Sequence, residues 1–189
     1  VMMNPAIASL VDDFNAAERS KSYNMLDIAA STRYHASDNV DVVLGVSQKN
    51  RAPTYFERYT WLPLGISGGM ADGFNYIGNL ALDNETARQI DVGIDYRFKS
   101  WSVSPRLFYQ DIEDYITGSP SMNMAANMVS TMMAGTTPFQ WTNTDAVIKG
   151  ADLTVSGNVF DNVRLNAVAS VQHGNRDDID DALFRIAPE

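Results

Sequence analysis

The chain has 189 residues, enough for one domain with a sizeable core. Its formal net charge of −9 argues against a nucleic-acid partner, which wants a basic footprint. The absence of Cys excludes disulfides, thiolate metal sites and a cysteine nucleophile, and no apolar run reaches the length of a membrane-spanning helix.

The chain opens Val1-Met2-Met3-Asn4-Pro5, which reads as a cut into a larger protein and not as a signal peptide. Asn4 as N-cap, Pro5 at the first helical position and Ile7, Leu10, Val11 and Phe14 at helical spacing predict a short helix within a loop. Asn24–His35 then alternates, with Leu26, Ile28, Ala30, Thr32 and Tyr34 on one face and Asp27, Ser31, Arg33 and His35 on the other. A turn at Ala36–Asn39 leads into Val40, Val42, Leu44 and Val46, opposed by Asp41, Gly45, Ser47 and Lys49, which completes a hairpin.

The second hairpin, Ala87–Asp111, is the best defined. Ile90, Val92, Ile94, Tyr96 and Phe98 share a face with Trp101, Val103, Pro105, Leu107 and Tyr109 if Lys99-Ser100 is a two-residue turn. Asp91, Gly93, Asp95, Arg97, Ser102, Ser104, Arg106 and Gln110 then lie on the opposite face, together with Phe108. Such a long apolar face suits a soluble sandwich or a strand pair facing lipid. The second reading places Val92, Ile94, Leu107, Leu153 and Leu165 on one outer surface and Asp95, Arg97 and Arg106 on the inner one.

Ser119–Gly135 follows as a helical segment, with Ser119 as cap, Pro120 in the first turn and Gly135 as terminator. Met124, Met128 and Met132 fall four apart on one helical face, with Met122 and Met133 nearby. Thioethers select Cu(I), which makes these three candidate ligands. The more economical expectation is an apolar stripe that packs a loop helix onto its neighbours. A third hairpin closes the pattern: Ala151, Leu153, Val155 and Val159 against Val163, Leu165, Ala167, Ala169 and Val171, with Phe160–Asn162 between them.

The connections are as informative as the strands. Links within hairpins are a few residues, whereas 50–86 and 113–146 are far longer than compact soluble domains favour. Short turns alternating with long loops on strands of about ten or more residues is the layout of outer-membrane barrels, with the loops outside the cell. Tyr34, Tyr96, Phe98, Trp101 and Phe160 all sit beside short turns, where an interfacial aromatic girdle belongs. The expected class is therefore all-β: a fragment of a transmembrane antiparallel barrel, about six long strands in three hairpins, its long extracellular loops containing short helices. A soluble all-β binding or adhesion module explains the alternation but not the loops.

Candidate chemistry is sparse. Ser170 and His173 differ by three and point to opposite faces of a strand, and no phosphate loop, nucleophile elbow or acidic metal triplet is present, so no enzyme and no cofactor is expected. His35 and His173 read as isolated polar residues.

Several stretches resemble the TonB-dependent outer-membrane receptors, in that family's order. Ser47–Pro53 with Glu57-Arg58-Tyr59 is similar to its strand end and loop start, and Ile77–Thr86 resembles its "GNPxLxPET" segment. Leu107–Ile116 is similar to "FYxxIxDYI", Trp141–Leu153 to "xxNxxxxxxxGxE", and Leu183–Pro188 to "LxRIPP". Ala81 and Asn84 stand where the family has prolines and Asp152 where it has glutamate.

The resemblance implies that residues 1–189 are part of a barrel of about 22 strands, without its plug domain and remaining strands. It implies a Gram-negative outer membrane, contact with its lipid, a metal-chelate ligand such as a ferric siderophore, and TonB acting through the plug. Copper is an alternative cargo. The motif residues Arg51, Pro53, Glu57, Asn79, Glu85, Asn143 and Gly150 are expected to be architectural, with Arg51 pairing Glu57 and with Asn79 and Glu85 tying a loop to a strand top.

Overall fold

The computed structural model describes residues 4–63, 73–179 and 182–183. The "LxRIPP"-like stretch therefore lies, from Phe184 onward, outside the described residues. Helix α1 (Pro5–Ala16) starts as its sequence dictates: the Asn4 side chain accepts a hydrogen bond from the Ala6 N–H at 2.9 Å, and Pro5 occupies the first turn. Strands β1 (Ile28–Ser37) and β2 (Val40–Arg51) follow, then the short helix α2 (Tyr55–Tyr59) and a two-residue strand β3 (Tyr76–Ile77). The chain continues through β4 (Glu85–Phe98), β5 (Trp101–Pro120), helix α3 (Met124–Ala134), β6 (Phe139–Phe160) and β7 (Val163–Arg176).

The sheet order is β1-β2-β4-β5-β6, with β7 antiparallel on β6 and β3 parallel to its first residues. Among the described residues the sheet does not close on itself, with β1 at one edge and β7 and the short β3 at the other, and no helix is long and apolar enough to cross a membrane. All three hairpins close on two-residue turns. Ser37 pairs Val40, Phe98 pairs Trp101 and Phe160 pairs Val163, so the turns are tighter at Asp38-Asn39 and Asp161-Asn162 than their sequences suggested. A register shift beside each of these two turns takes up the extra residue. At the central turn Lys99 adopts φ 52°, the left-handed conformation that a two-residue hairpin turn demands.

Two strands run much further than alternation suggested. β5 has 20 residues and β6 has 22, against roughly 9–11 for a strand that only crosses a bilayer. The chain divides accordingly into two compact units, and β5 and β6 contribute to both.

The first unit (Val1–Asn24, Arg51–Glu85, Asp114–Thr144) is conventionally packed. Ala6, Leu10, Ile77, Ala126 and Val129 form one buried cluster, and Tyr76, Leu82, Ile116 and Trp141 a second, in which the Tyr76 and Trp141 rings stack at 4.7 Å. The second unit (Met25–Asn50, Thr86–Glu113, Asp145–Glu189) is a two-faced sheet. Ile90, Val92, Ile94, Tyr96 and Phe98 on β4, Leu107 and Tyr109 on β5, Leu153 on β6 and Leu165 and Val171 on β7 are all exposed, on one face. Such a face far exceeds the scattered apolar residues of soluble surfaces. No second sheet covers it among the described residues, as a sandwich would require.

Candidate functional site

The motif residues of the first unit converge on Arg51. β2 ends there, and the chain passes through half-buried Pro53 to Thr54, which caps α2. Thr54 and Glu57 form a capping box: the Thr54 N–H donates to Glu57 Oε2 at 2.6 Å, and the Glu57 N–H donates to Thr54 Oγ1 at 3.3 Å. The helix start thereby fixes the Glu57 carboxylate, to which Arg51 Nη1 donates at 3.1 and 2.9 Å. The other edge of the guanidinium meets Glu85, Nε to Oε2 at 2.6 Å and Nη2 to Oε1 at 2.9 Å. Glu85 Oε1 also accepts the Ile116 N–H at 2.7 Å. One planar fork thus holds two buried carboxylates, a geometry that a lysine could not reproduce.

A second group of bonds ties the 78–85 segment down. The Gly78 N–H donates to the Thr60 carbonyl at 2.6 Å and the Asn79 N–H to that of Glu57 at 2.9 Å. A Cβ at Gly78 would lie 2.6 Å from the Arg58 carbonyl oxygen, so the two backbones approach only because this residue lacks one. Asn79 Nδ2 donates to the Trp141 carbonyl at 3.1 Å while its Oδ1 accepts the Ala81 N–H at 2.9 Å. Asn143 accepts the Asp83 N–H at 2.9 Å and donates to the carbonyls of Asp83 at 3.2 Å and Asp114 at 2.7 Å. Asp114 itself has φ 58°, a left-handed conformation uncommon for a residue with a side chain.

Gly150 belongs to the second unit and to a different problem. On the polar face of β6 it leaves room for the Phe108 ring: a Cβ there would sit 2.6 Å from two ring carbons and from the Val171 carbonyl oxygen.

Arg58 lies within the motif that the resemblance marks, yet the sequence alone assigns it no role. It is 7% exposed, lies over the Tyr59 and Tyr23 rings at 5.0 and 5.7 Å, and donates from Nη2 to the Arg19 and Leu80 carbonyls at 3.2 Å each. The readable signal was Thr54-x-x-Glu57, a capping box that places Arg58 in the turn following the cap.

Helix α3 departs from expectation at its start. Ser119 and Pro120 belong to β5, Ser119 lying 3.2 Å from the Thr142 hydroxyl, and the cap is Asn123, which accepts the Ala126 N–H at 3.0 Å. Gly135 does end the helix, at φ 73°. The expectation that the methionine stripe packs the helix is also corrected. Ala126, Val129 and Ser130 form the buried side, and Asn75 donates to the Ser130 hydroxyl at 3.1 Å. Met124, Met128 and Met132 are 84, 60 and 57% exposed, and Met122 and Met133 are 89 and 59% exposed. Small residues won the packed face because they let α3 lie close to its neighbours.

The polar face of the second unit carries an ion-pair ladder. Arg33 donates to Asp41 at 3.1 Å and Asp95 at 2.5 Å, Arg97 to Asp41 at 3.0 Å, and Arg106 to Asp95. His35 is not isolated: its Nδ1 lies 2.6 Å from Asp41 Oδ1. His173 is half-buried opposite Lys149, and Ser170 donates to Asp152. Outside the strands, Asp27 accepts from the side chain and then the backbone N–H of Asn50, which hold its carboxyl below the usual carboxylate range. Among the described residues no group of three or more acidic, His or Cys side chains is arranged to hold a metal ion.

A family model described as "TonB dependent receptor-like, beta-barrel" matches residues 9–187. No curated protein matches the chain. Among solved structures, the copper transporter OprC is similar over 85% of this chain with a TM-score of 0.63 and 21% identity. The siderophore receptor PirA from Pseudomonas aeruginosa is similar over 79%, with a TM-score of 0.56 and 16% identity. A ferric enterobactin receptor from the same organism is similar over 83%, with a TM-score of 0.54 and 17% identity. The chain spans only 22, 30 and 23% of these three structures, respectively.

Proposed function

Because the chain belongs to the TonB-dependent receptor β-barrel family, we propose that it forms part of the wall of an outer-membrane receptor that imports a scarce nutrient, with energy supplied by TonB. The observation that carries this reading is the two-faced sheet of the second unit: an uncovered apolar face suited to lipid, backed by a face of ion pairs suited to a hydrated lumen. In this reading residues 1–189 are one portion of the barrel, and the plug, which TonB engages, lies in another part of the protein.

The first cargo is a ferric siderophore or another metal chelate, in keeping with the siderophore receptors among its structural neighbours. Copper is the second, in keeping with the copper transporter and with the exposed methionines of α3. Arg51, Pro53, Glu57, Asn79, Glu85, Asn143 and Gly150 serve architecture in either case. The first six fix the 51–85 segment and Gly150 admits Phe108, and the three charged groups among them are already engaged with one another.

The test is uptake of radiolabelled ferric chelates and of copper by cells whose only candidate route is the intact receptor, with TonB present or deleted. Accumulation of one cargo that requires both proteins is expected. Uptake indifferent to TonB would overturn the proposal.

A further inference from the structure

The segment between Asp114 and Asp145 contains no charged residue, no His and no Cys, in a chain of net charge −9. Its central element, α3, nevertheless presents an exposed side, and that side is built of methionine. Solvated helix faces are ordinarily charged or polar. Methionine there lies outside the buried side of α3, which Ala126, Val129 and Ser130 form. The thioethers are therefore available for a role other than burial.

Met124, Met128 and Met132 are spaced by four, which places successive Cβ atoms about 5–6 Å apart along one face. Each side chain has three rotatable bonds beyond its backbone, so adjacent sulfurs can converge on one ion. The donors are neutral and soft, and the segment that carries them brings no carboxylate or imidazole of its own, a set that suits Cu(I) and offers little to Zn(II), Fe(III) or Mg(II). Met132 Sδ already accepts a contact from the Asn4 amide at 3.7 Å, which shows that a sulfur of this face is open to a neighbouring polar group.

From this geometry we infer that the exposed face of α3 is a Cu(I)-capture site, formed by the overlapping pairs Met124–Met128 and Met128–Met132. Met128 is common to both pairs and is the principal ligand. Binding uses sulfur lone pairs only: no proton leaves, no electron moves, and Cu(I) enters and departs as Cu(I). The site rests on the receptor reading for its role in import, and its existence as a ligand set does not depend on that reading.

The experiment uses the intact receptor in detergent, titrated anaerobically with Cu(I) against a chromophoric Cu(I) chelator, with Ag(I) as a redox-inert second probe. M128L is expected to weaken the site by about tenfold or more, and M124L and M132L each by less, because one pair survives in either. Leu is close in volume and helix propensity, so the fold should persist, as checked by heat-dependent gel mobility. Affinity should be flat between about pH 5 and 8, since thioethers do not titrate there, whereas His or thiolate ligands would give a slope.

Unchanged Cu(I) binding in the M124L/M128L/M132L variant would overturn the proposal, as would no binding by the unmodified receptor, the result expected if another part of the protein or a partner covers this face. A pH slope of the His type would overturn it too. Cu(I) binding lost in the triple variant from a receptor that fails to import copper would leave the site standing and refute only copper as cargo.

Discussion

Arg51 and Glu85, 34 residues apart, meet through two parallel hydrogen bonds while the same guanidinium holds Glu57 on its remaining edge. The carboxylates are the buried members and Arg51 the more exposed one, so the cost of losing Arg51 is the desolvation of two unpaired anions. Arg51→Met is expected to destabilise the intact receptor by about 3 kcal/mol, the low end for a broken buried pair because Arg51 is itself 40% exposed. Arg51→Lys should recover less than half of that, because an ammonium cannot form both forks. Thermal unfolding in detergent measures both, and equal stability of Arg51→Lys and the parent would refute the bidentate role.

Gly150 gives a prediction with an internal control. Gly150→Ala should cost about 1–3 kcal/mol by overpacking. Adding Phe108→Ala removes the ring but leaves the Val171 carbonyl oxygen 2.6 Å from the new Cβ, so the double variant should be rescued only in part. Full rescue would mean that the backbone contact is soft.

Asn143 is satisfied as both donor and acceptor, which makes its isosteric replacement informative. Asn143→Asp keeps the bond from the Asp83 N–H but sets a carboxylate against the carbonyls of Asp83 and Asp114. It should cost about 1–3 kcal/mol and loosen the left-handed turn at Asp114. Amide hydrogen exchange around residues 83 and 114 should quicken, and unaltered protection there would contradict the assignment.

The hairpins and their registers were legible because each strand of the second unit has an apolar face and a polar one, and period two records that directly. Phe98 opposite Trp101 follows from a two-residue turn at Lys99-Ser100, which also brings the apolar faces together. The same rule fails beyond Asp111, where Ile116 and Thr117 are both buried although they are neighbours in a strand. Packed on two sides, that extension of β5 has no alternation to read, and the first part of β6 shares the difficulty. The Arg51 cluster was half legible. Its residues and the pairing of Arg51 with Glu57 were marked by the resemblance, but Glu85 as a second partner of Arg51 depends on where a long connection returns. α2 is too short for an apolar period, and the methionine stripe was legible as a stripe but not as the exposed side.

The apolar face can be tested by placing charge on it. Leu107→Arg should impair assembly into bilayers by about 2 kcal/mol or more if the site lies near mid-membrane, while Asn166→Arg, on the polar face of β7, should be close to neutral. Folding yields into vesicles of graded denaturant concentration report both. Equal tolerance of the two substitutions would argue against lipid on the Leu107 side.

The strand order has a consequence for how such a wall is inherited. Apart from the two-residue β3, every strand pairs with the long strands that precede and follow it in the chain, and each hairpin is closed by its own two-residue turn. A pair of strands is therefore a copyable module. A segment encoding one hairpin and its trailing loop could be duplicated or deleted without rerouting any other connection, and the neighbouring edges would still meet antiparallel. Circumference is then free to drift in steps of two strands, while loops such as the one bearing α3 diversify independently of the staves that carry them.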